Sequence, residues 1–480
     1  MKIKVFRRVT AIIMLICIVA SFTSCSKNPS GGKDDKGKNT GSSSTEGQIC
    51  IPYSREDGMN PFTAKSLLNS SIMPLLYSGL FSLNEKYEAE DALGKDAVVS
   101  GTEVTVTMDS GARFSDGSTV TADDVVYSFN LSKNSVYYST MLLTVESVVA
   151  AARNKVVFKM AVADKYASAL LTFPIVKLNT AAEETSIPVG AGPYVYTATA
   201  DGGTLTPNSH SELKYKKDKI ILSNTADTKP LMHSLVIGNI TACFDDLSGG
   251  ESERINASSI QVDLNNLVFL GLKADGVFSD EKLRRSLSGV IDRDKLINSG
   301  FEGFGTPTKL PFNPAWYGLK GVNSVKHDKD SDSAYFGQKL SGRTIKILVC
   351  SDNNFKVKFA EELASQLSAV GVKTNIISVA YDAYRSSVES GNYDIYVGEY
   401  KLTGDMNISG LINDEEFKNK YFEMLSGTIT VKDFVKDFEN TMPFVPVAVR
   451  NGVLAYSRNV QTEVKPMPGS VFSNLTEWSV

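Results

Sequence analysis

The chain has 480 residues, 22 % of them charged, and a formal net charge of -4. A chain of that length buries a large core and divides into more than one lobe. Its slightly acidic balance leaves no basic stripe to neutralise phosphates, which excludes nucleic acid as the main partner.

Lys2, Lys4, Arg7 and Arg8 precede an apolar run from Val9 to Phe22, and the small residues Thr23 and Ser24 lead to Cys25. This is the order of a secretory signal peptide over 1–24, and the run is too short to span a membrane. Cysteine directly after small residues resembles a lipobox, which implies cleavage before Cys25, a diacylglycerol on its sulfur and a stable membrane anchor. Simple secretion after Ser24 is the alternative. Residues 25–48 are dominated by Ser, Gly, Lys, Asn, Asp and Thr, a composition that cannot bury enough surface to order itself and so predicts a flexible tether. With Cys17 lost in the leader and Cys25 acylated, Cys50, Cys243 and Cys350 remain. An odd number at wide spacing predicts buried thiols rather than a disulfide framework.

Ile49 to Pro52 reads as a short strand, and Met59-Asn60-Pro61-Phe62 as a turn. Leu67, Leu68, Ile72, Leu75 and Leu76 recur at helical spacing, so Ser66 to Tyr77 is a helix with Asn69, Ser70 and Ser71 among its polar residues. Thr102 to Leu131 is the most informative stretch. Val104, Val106 and Met108 alternate with Thr105, Thr107 and Asp109, which makes a half-buried strand. Gly111 ends it, Asp116-Gly117 supplies a turn in which glycine takes positive φ, and Phe114 is the apolar anchor between them. Thr121 and Asp124 then form a capping box for a helix that buries Val125 and Phe129. Val156 to Met160 and Leu170 to Val176 read as strands or buried segments. Ile187 to Tyr194 is a Pro/Gly-rich loop expected to need special backbone angles.

Val268 to Leu272 is a strand, and Ser279-Asp280-Glu281 opens a capped helix with Leu283, Leu287, Val290 and Ile291 on its buried stripe. Asp292-Arg293-Asp294 reads as a second cap with surface ion pairs. Next come a strand from Thr344 to Val349, a helix from Phe355 to Val370 stopped by Gly371, a strand from Val372 to Val379, a short helix from Asp382 to Ser390 and a strand from Tyr393 to Val397. This β-α-β-α-β order predicts parallel pairing, with ligands met at the carboxyl ends of the strands: Cys350-Ser351-Asp352, Ala380-Tyr381 and Gly398-Glu399-Tyr400. Phe434 and Phe438 mark a last amphipathic helix before the strand-like Met442 to Val447.

Phosphate-loop, zinc-protease and nucleophile-elbow motifs do not occur. His210, His233 and His327 are scattered, so neither a metal nor a cofactor is expected. Pairs such as Asp123-Asp124, Asp245-Asp246 and Glu415-Glu416 fall at helix starts or in polar loops, where capping and solvation explain them. An enzyme is therefore not expected, although an extracellular hydrolase or adhesin remains the rival from a different class.

The run Gly111-Ala112-Arg113-Phe114-Ser115-Asp116-Gly117-Ser118 followed by Thr121-Ala122-Asp123-Asp124-Val125 resembles the signature of extracellular solute-binding protein family five, the peptide-binding lipoproteins of ABC importers. Asn60-Pro61, Gly79-Leu80, Pro188 to Tyr194, Gly238-Asn239-Ile240 and Pro443-Phe444-Val445-Pro446 follow in the family's order, so the likeness runs from about Gln48 to the C-terminus. It implies an α/β, two-lobed type II periplasmic-binding-protein fold with an extra small subdomain. Lobe I would comprise 49–82, 179–265 and 441–480, its small subdomain 83–178, and lobe II 266–440. By the same likeness Asn69, Ser70, Ser71, Tyr381, Glu399, Tyr400, Lys401 and Asp405 are the candidate ligand-binding residues. Where the family often carries an aspartate for a peptide's amine this chain has Leu402, with Asp405 three residues on, so amine recognition is not implied. The implied protein is a monomer, held at the cell membrane by its lipid and facing the exterior or periplasm. It would capture a small peptide, or another solute such as a sugar, a metal chelate or a signal peptide, for ABC permease and ATPase subunits.

Overall fold

In the computed structural model β1 (Ile49–Tyr53) is buried along its whole length and leads to α1 (Leu67–Leu76), whose cap Ser66 accepts the Asn69 N–H. The structure describes residues 47–211, 213–225 and 231–480, so the leader, Cys17, Cys25 and nearly all of the tether lie outside the described residues. β2 (Phe81–Leu83) and β3 (Ala89–Asp91) form a hairpin. β4 (Gly94–Ser100), β5 (Glu103–Met108), α2 (Ala122–Ser132), β6 (Val145–Ala152) and β7 (Lys155–Met160) follow, with the strands in the antiparallel order β4-β5-β7-β6. The alternating apolar residues of β5 and β7 meet Phe114, Val125 and Phe129 in one core, and the Thr121 N–H donates to Asp124 Oδ2 at 2.8 Å in the expected capping box. Gly117 takes φ of 84° in the turn.

Of the two readings for Leu170 to Val176 the buried segment holds: a 3₁₀ turn over Ala167–Leu170 leads into irregular chain, and Val176 alone forms a bridge, with Gly190. In the Pro/Gly loop the glycines are needed for space, because neither Gly190 nor Gly192 has positive φ. A Cβ on Gly190 would sit 2.2 Å from the Leu76 carbonyl oxygen, and one on Gly192 2.3 Å from the Leu76 carbonyl carbon.

β8 (Tyr194–Thr199), β9 (Gly202–Pro207) and β10 (Ile220–Asn224) complete a second sheet ordered β1-β10-β9-β8, in which β1 and β10 are parallel. The remaining chain supplies α3 (Leu231–Val236), β11 (Ala242–Asp245), β12 (Ser258–Leu272), α4 (Glu281–Val290), α5 (Arg293–Phe301), β13 (Gly305–Pro307) and α6 (Lys329–Leu340). After these come β14 (Thr344–Cys350), α7 (Asn354–Ala369), β15 (Lys373–Val379), α8 (Tyr381–Ser390), β16 (Ile395–Lys401), α9 (Glu415–Ser426), α10 (Val431–Thr441) and β17 (Phe444–Tyr456). The third sheet is ordered β11-β17-β12-β16-β14-β15, with β13 on β17, and β14 is parallel to both β15 and β16 as the β-α-β-α-β pattern requires.

β12 and β17 are long enough to serve two cores. Val262 and Leu454 pack with β1 and α1, whereas Leu267 to Leu270 and Phe444 to Ala448 pack with α4, α5, α7 and α10. Two separately packed lobes are therefore joined by one antiparallel ribbon, and the small β4-β5-β7-β6 core forms a third body. Phe444 to Ala448, assigned from the sequence to the first lobe, pack in the core of the second, as do Tyr87 and Tyr166 of the 83–178 segment. At the crossing β12 bulges between Asp263 and Asn266, with Asn265 at φ of 54°. Arg293 is not a surface pair: it is 6 % exposed and donates to the Thr308 and Pro446 carbonyls and to Ser288, pinning α5 to β17.

Candidate functional site: a cleft at the lobe crossing

The bulge in β12 is built by side chains that satisfy the backbone the kink releases. Asp263 Oδ1 accepts the Asn265 N–H at 2.7 Å, and Asp263 Oδ2 accepts from Asn313 Nδ2 at 2.8 Å. Asn265 donates from Nδ2 to the Leu402 and Thr403 carbonyls at 3.1 and 3.2 Å, while its own carbonyl accepts the Leu402 N–H at 2.9 Å. Asparagine suits this place because its short amide tolerates the left-handed region. The exit of β16 is thereby clamped to the crossing.

Around this clamp opens a cleft of about 600 Å³. One wall comes from α1 and the chain after it, with Ser70, Met73 and Tyr77; Tyr137, Tyr138 and the Met467–Ser470 turn extend it. The facing wall is Asp263–Asn265 and Lys401–Gly404. Tyr77 is held by donating to the Met59 carbonyl at 2.7 Å, so the first wall is preorganised as well. Burial and the neighbouring Asp263 carboxylate push the Tyr87 phenol well above its usual value, which keeps it protonated at the cleft edge.

Of the eight residues singled out from the sequence, Ser70 and Lys401 line this cleft. Asn69, one position from Ser70, is fully buried: its Oδ1 accepts the Ser54 N–H and its Nδ2 donates to the Ser54 and Gly58 carbonyls, so it holds a loop and has no group left for a ligand. Ser71 turns its hydroxyl back to the Leu68 carbonyl at 2.8 Å. Tyr381 opens α8, its N–H bonded to Asp352 Oδ2 at 3.0 Å, and packs beside Val379 and Tyr384 over β14 and β15. Those strands form the outer edge of the sheet, with β16 and β12 standing between them and the crossing, so the carboxyl ends of β14 and β15 do not reach the cleft.

Glu399 is buried in an ion network. Arg450 Nε lies 3.1 Å from Oε1, Lys356 Nζ lies 3.0 Å from Oε2, and Asn266 Nδ2 donates to Oε1 at 2.7 Å. Burial alone would raise this carboxyl, but the two cations and the hydrogen bonds win and hold it down to about 2. Tyr400 is 7 % exposed and belongs to the core of the second lobe. Asp405 is fully buried against Asp164 of the small subdomain. Burial pushes both carboxyls up, Asp164 well above its usual value with the charge of Asp405 adding to the effect. Such a pair shares a proton instead of ionising twice.

The crossing residues Asp263 and Asn265, with Asn313, escaped the sequence reading because the strand read there began only at Val268, whereas it runs from Ser258 to Leu272. The doublet Asn265-Asn266 inside an otherwise β-favouring run was the available signal. Lys356 and Arg450, the partners of Glu399, are remote in sequence and carried no signal. Groups of three or more metal-ligating side chains are absent among the described residues.

Residues 91–407 match the family described as bacterial extracellular solute-binding proteins, family 5 (middle). The oligopeptide-binding protein AppA of Bacillus subtilis (strain 168) is 22 % identical over 436 residues, covering 81 % of this chain and 80 % of that one. The ABC transporter substrate-binding protein CtaP of Listeria monocytogenes superposes with a TM-score of 0.69 at 19 % identity over 90 % of this chain and 99 % of that one. The Bacillus subtilis AppA structure, solved in complex with a nonapeptide, superposes with a TM-score of 0.58 at 17 % identity over 90 % of this chain and 98 % of that one. A two-lobed α/β fold with a cleft at the crossing, together with a family match over more than half of its length, places the chain in the bacterial extracellular solute-binding proteins, family 5.

Proposed function

We propose that this solute-binding protein is the receptor of an ABC import system, tethered to the membrane through lipidated Cys25, that encloses a peptide between its lobes and delivers it to a permease. The observation that carries the reading is the position of the cleft at the crossing of the two lobes. At about 600 Å³ it falls within the range of about 300–1,000 Å³ of ligand pockets, and its walls come from both lobes. The name of the Bacillus subtilis relative and the nonapeptide in its structure support the same class of ligand. The ribbon of β12 and β17 gives the lobes a common hinge, and bound ligand favours the closed arrangement by its difference in affinity for the two. The chain has no phosphate loop, so the energy of transport comes from a separate ATPase.

The test is native mass spectrometry of the purified protein, before and after unfolding, with thermal shifts measured on a defined peptide library. Stoichiometric peptide and a raised Tm with no cleaved product are expected. Binding of sugars or metal chelates in place of peptides would overturn the peptide reading, and product formation would overturn the receptor reading. Radiolabelled palmitate incorporated into the wild-type chain but not into Cys25→Ser tests the anchor.

A further inference from the structure

The sheet of the small subdomain turns one of its faces to solvent. In the order β4-β5-β7-β6, the alternation that buries Val104, Val106, Val156 and Phe158 points the residues between them outward. Val98, Thr105, Val157 and Val149 are register partners in turn, so they form one row across all four strands. Val98 is 61 % exposed and Val149 57 %, and neither belongs to a core among the described residues. An apolar stripe therefore crosses the open face, where a continuous patch marks a contact surface more often than scattered single residues do.

The charges beside the stripe are divided by strand. Asp96 and Glu103 stand on β4 and β5, while Lys155 and Lys159 stand on β7. Glu103 and Lys159 share one flanking row, and Asp96, Thr107 and Lys155 share the other. Within the chain Lys159 reaches Glu146 at 3.5 Å, but the two side chains are 61 % and 51 % exposed, so water screens the pair. A two-fold axis running along the strands between β5 and β7 reverses the strand order and keeps each row facing itself. Two copies placed face to face about that axis set Glu103 against Lys159 of the second copy, twice by symmetry. Val98 then meets Val149, and Thr105 meets Val157. An axis across the strands would instead set Lys155 against Lys159 of the second copy, so the charges select the first arrangement. An anionic membrane is a poor fit, because Asp96, Glu103 and Glu146 would face it along with the lysines.

From this self-complementary pattern we infer that the outer face of β4-β5-β7-β6 is the surface through which two copies of the chain pair, sheet on sheet, about 10 Å apart. The family resemblance implies a monomer; the pairing is a property of this face and is independent of what the cleft binds. Four strands about 4.8 Å apart, each giving about five residues, make a footprint of roughly 300 Å². The contact thus belongs with interfaces burying less than about 1,200 Å² in total, and the dimer is a weak one.

Sedimentation velocity of the purified protein up to about 1 mM should show a monomer–dimer equilibrium. Glu103→Lys and Lys159→Glu should each weaken it about tenfold, because symmetry counts every reversed pair twice. An equimolar mixture of the two variants sets opposite charges together again and should associate nearly as well as the wild type. Mixing cannot repair the like-charge contact that each substitution makes inside its own chain, where Glu103 and Lys159 are register partners, so recovery reports the contact between copies. Val149→Lys, at an exposed position outside that charge pair, should abolish the dimer while thermal unfolding of the dilute protein stays the same. A wild type that remains monomeric, a mixture no stronger than its components, or a dimer that survives Val149→Lys each overturns the inference.

Discussion

Single residues separate into those that hold the cleft and those that meet its contents. Glu399 holds. Removing it in Glu399→Ala strands two buried cations, Lys356 and Arg450, and should cost about 3–5 kcal/mol, read as a lower urea midpoint at unchanged slope. Its carboxyl is depressed to about 2 from an ordinary value of 4.5, so this stabilisation is present above about 4.5 and is lost as pH falls toward 2. The Asp164–Asp405 pair works in the opposite sense. Both carboxyls are raised in the folded chain, so the native state holds a proton that the unfolded chain releases, and stability declines as pH rises from the ordinary carboxylate value through the raised one. Asp405→Asn supplies the hydrogen permanently; unfolding measured from pH 4 to 8 should then show a flatter decline than in the wild type. An unchanged slope would place the titration elsewhere. Tyr381→Ala should leave ligand affinity as it is, since Tyr381 packs over β14 and β15 away from the cleft, and isothermal titration reads this directly.

Elements form here because local signals agree with the packing they enter. The helix α2 begins at Thr121 since its hydroxyl and the Asp124 carboxylate satisfy each other's backbone, and Thr121→Ala should cost about 1 kcal/mol in chemical denaturation. Gly192 is different in kind. It has ordinary φ, yet a Cβ there meets the backbone at the end of α1, which cannot yield without moving the cleft wall. Gly192→Ala should therefore destabilise more than the loss of the cap does, and should weaken ligand binding as well, because Ser70, Met73 and Tyr77 ride on that helix and its cap. Calorimetry of the two variants side by side distinguishes a lost cap from a displaced wall.

For the whole molecule the deciding feature is that one ribbon of two strands passes between two cores. The β12 ladder is interrupted at Asp263 to Asn266, where Asn265 ties the strand to Leu402 and Thr403; on the proposed receptor reading, hinge bending would concentrate at this point. Asn265→Gly keeps the left-handed backbone and loses the clamp; Asn265→Ala loses both. Small-angle scattering should show the wild type contracting on saturation with ligand. Asn265→Gly should contract to the same radius at weaker affinity, and Asn265→Ala should also be less stable, by about 1 kcal/mol or more.

The sequence by itself determined the elements and their order. Alternation in β5, helical spacing in α1 and α4, the cap at Thr121 and the strand-helix alternation from Thr344 to Lys401 are interactions between near neighbours, so they can be read along the chain. It also determined the family, through the order of loose motifs. Only the tertiary structure decided that β14 and β15 lie at the outer edge, that Asn69 and Glu399 spend their polar groups inside the protein, and that β17 belongs to both cores. The physical reason is distance along the chain. Whether a carboxylate or an amide faces a ligand depends on partners such as Lys356 and Arg450, which sequence spacing does not bring together and packing does.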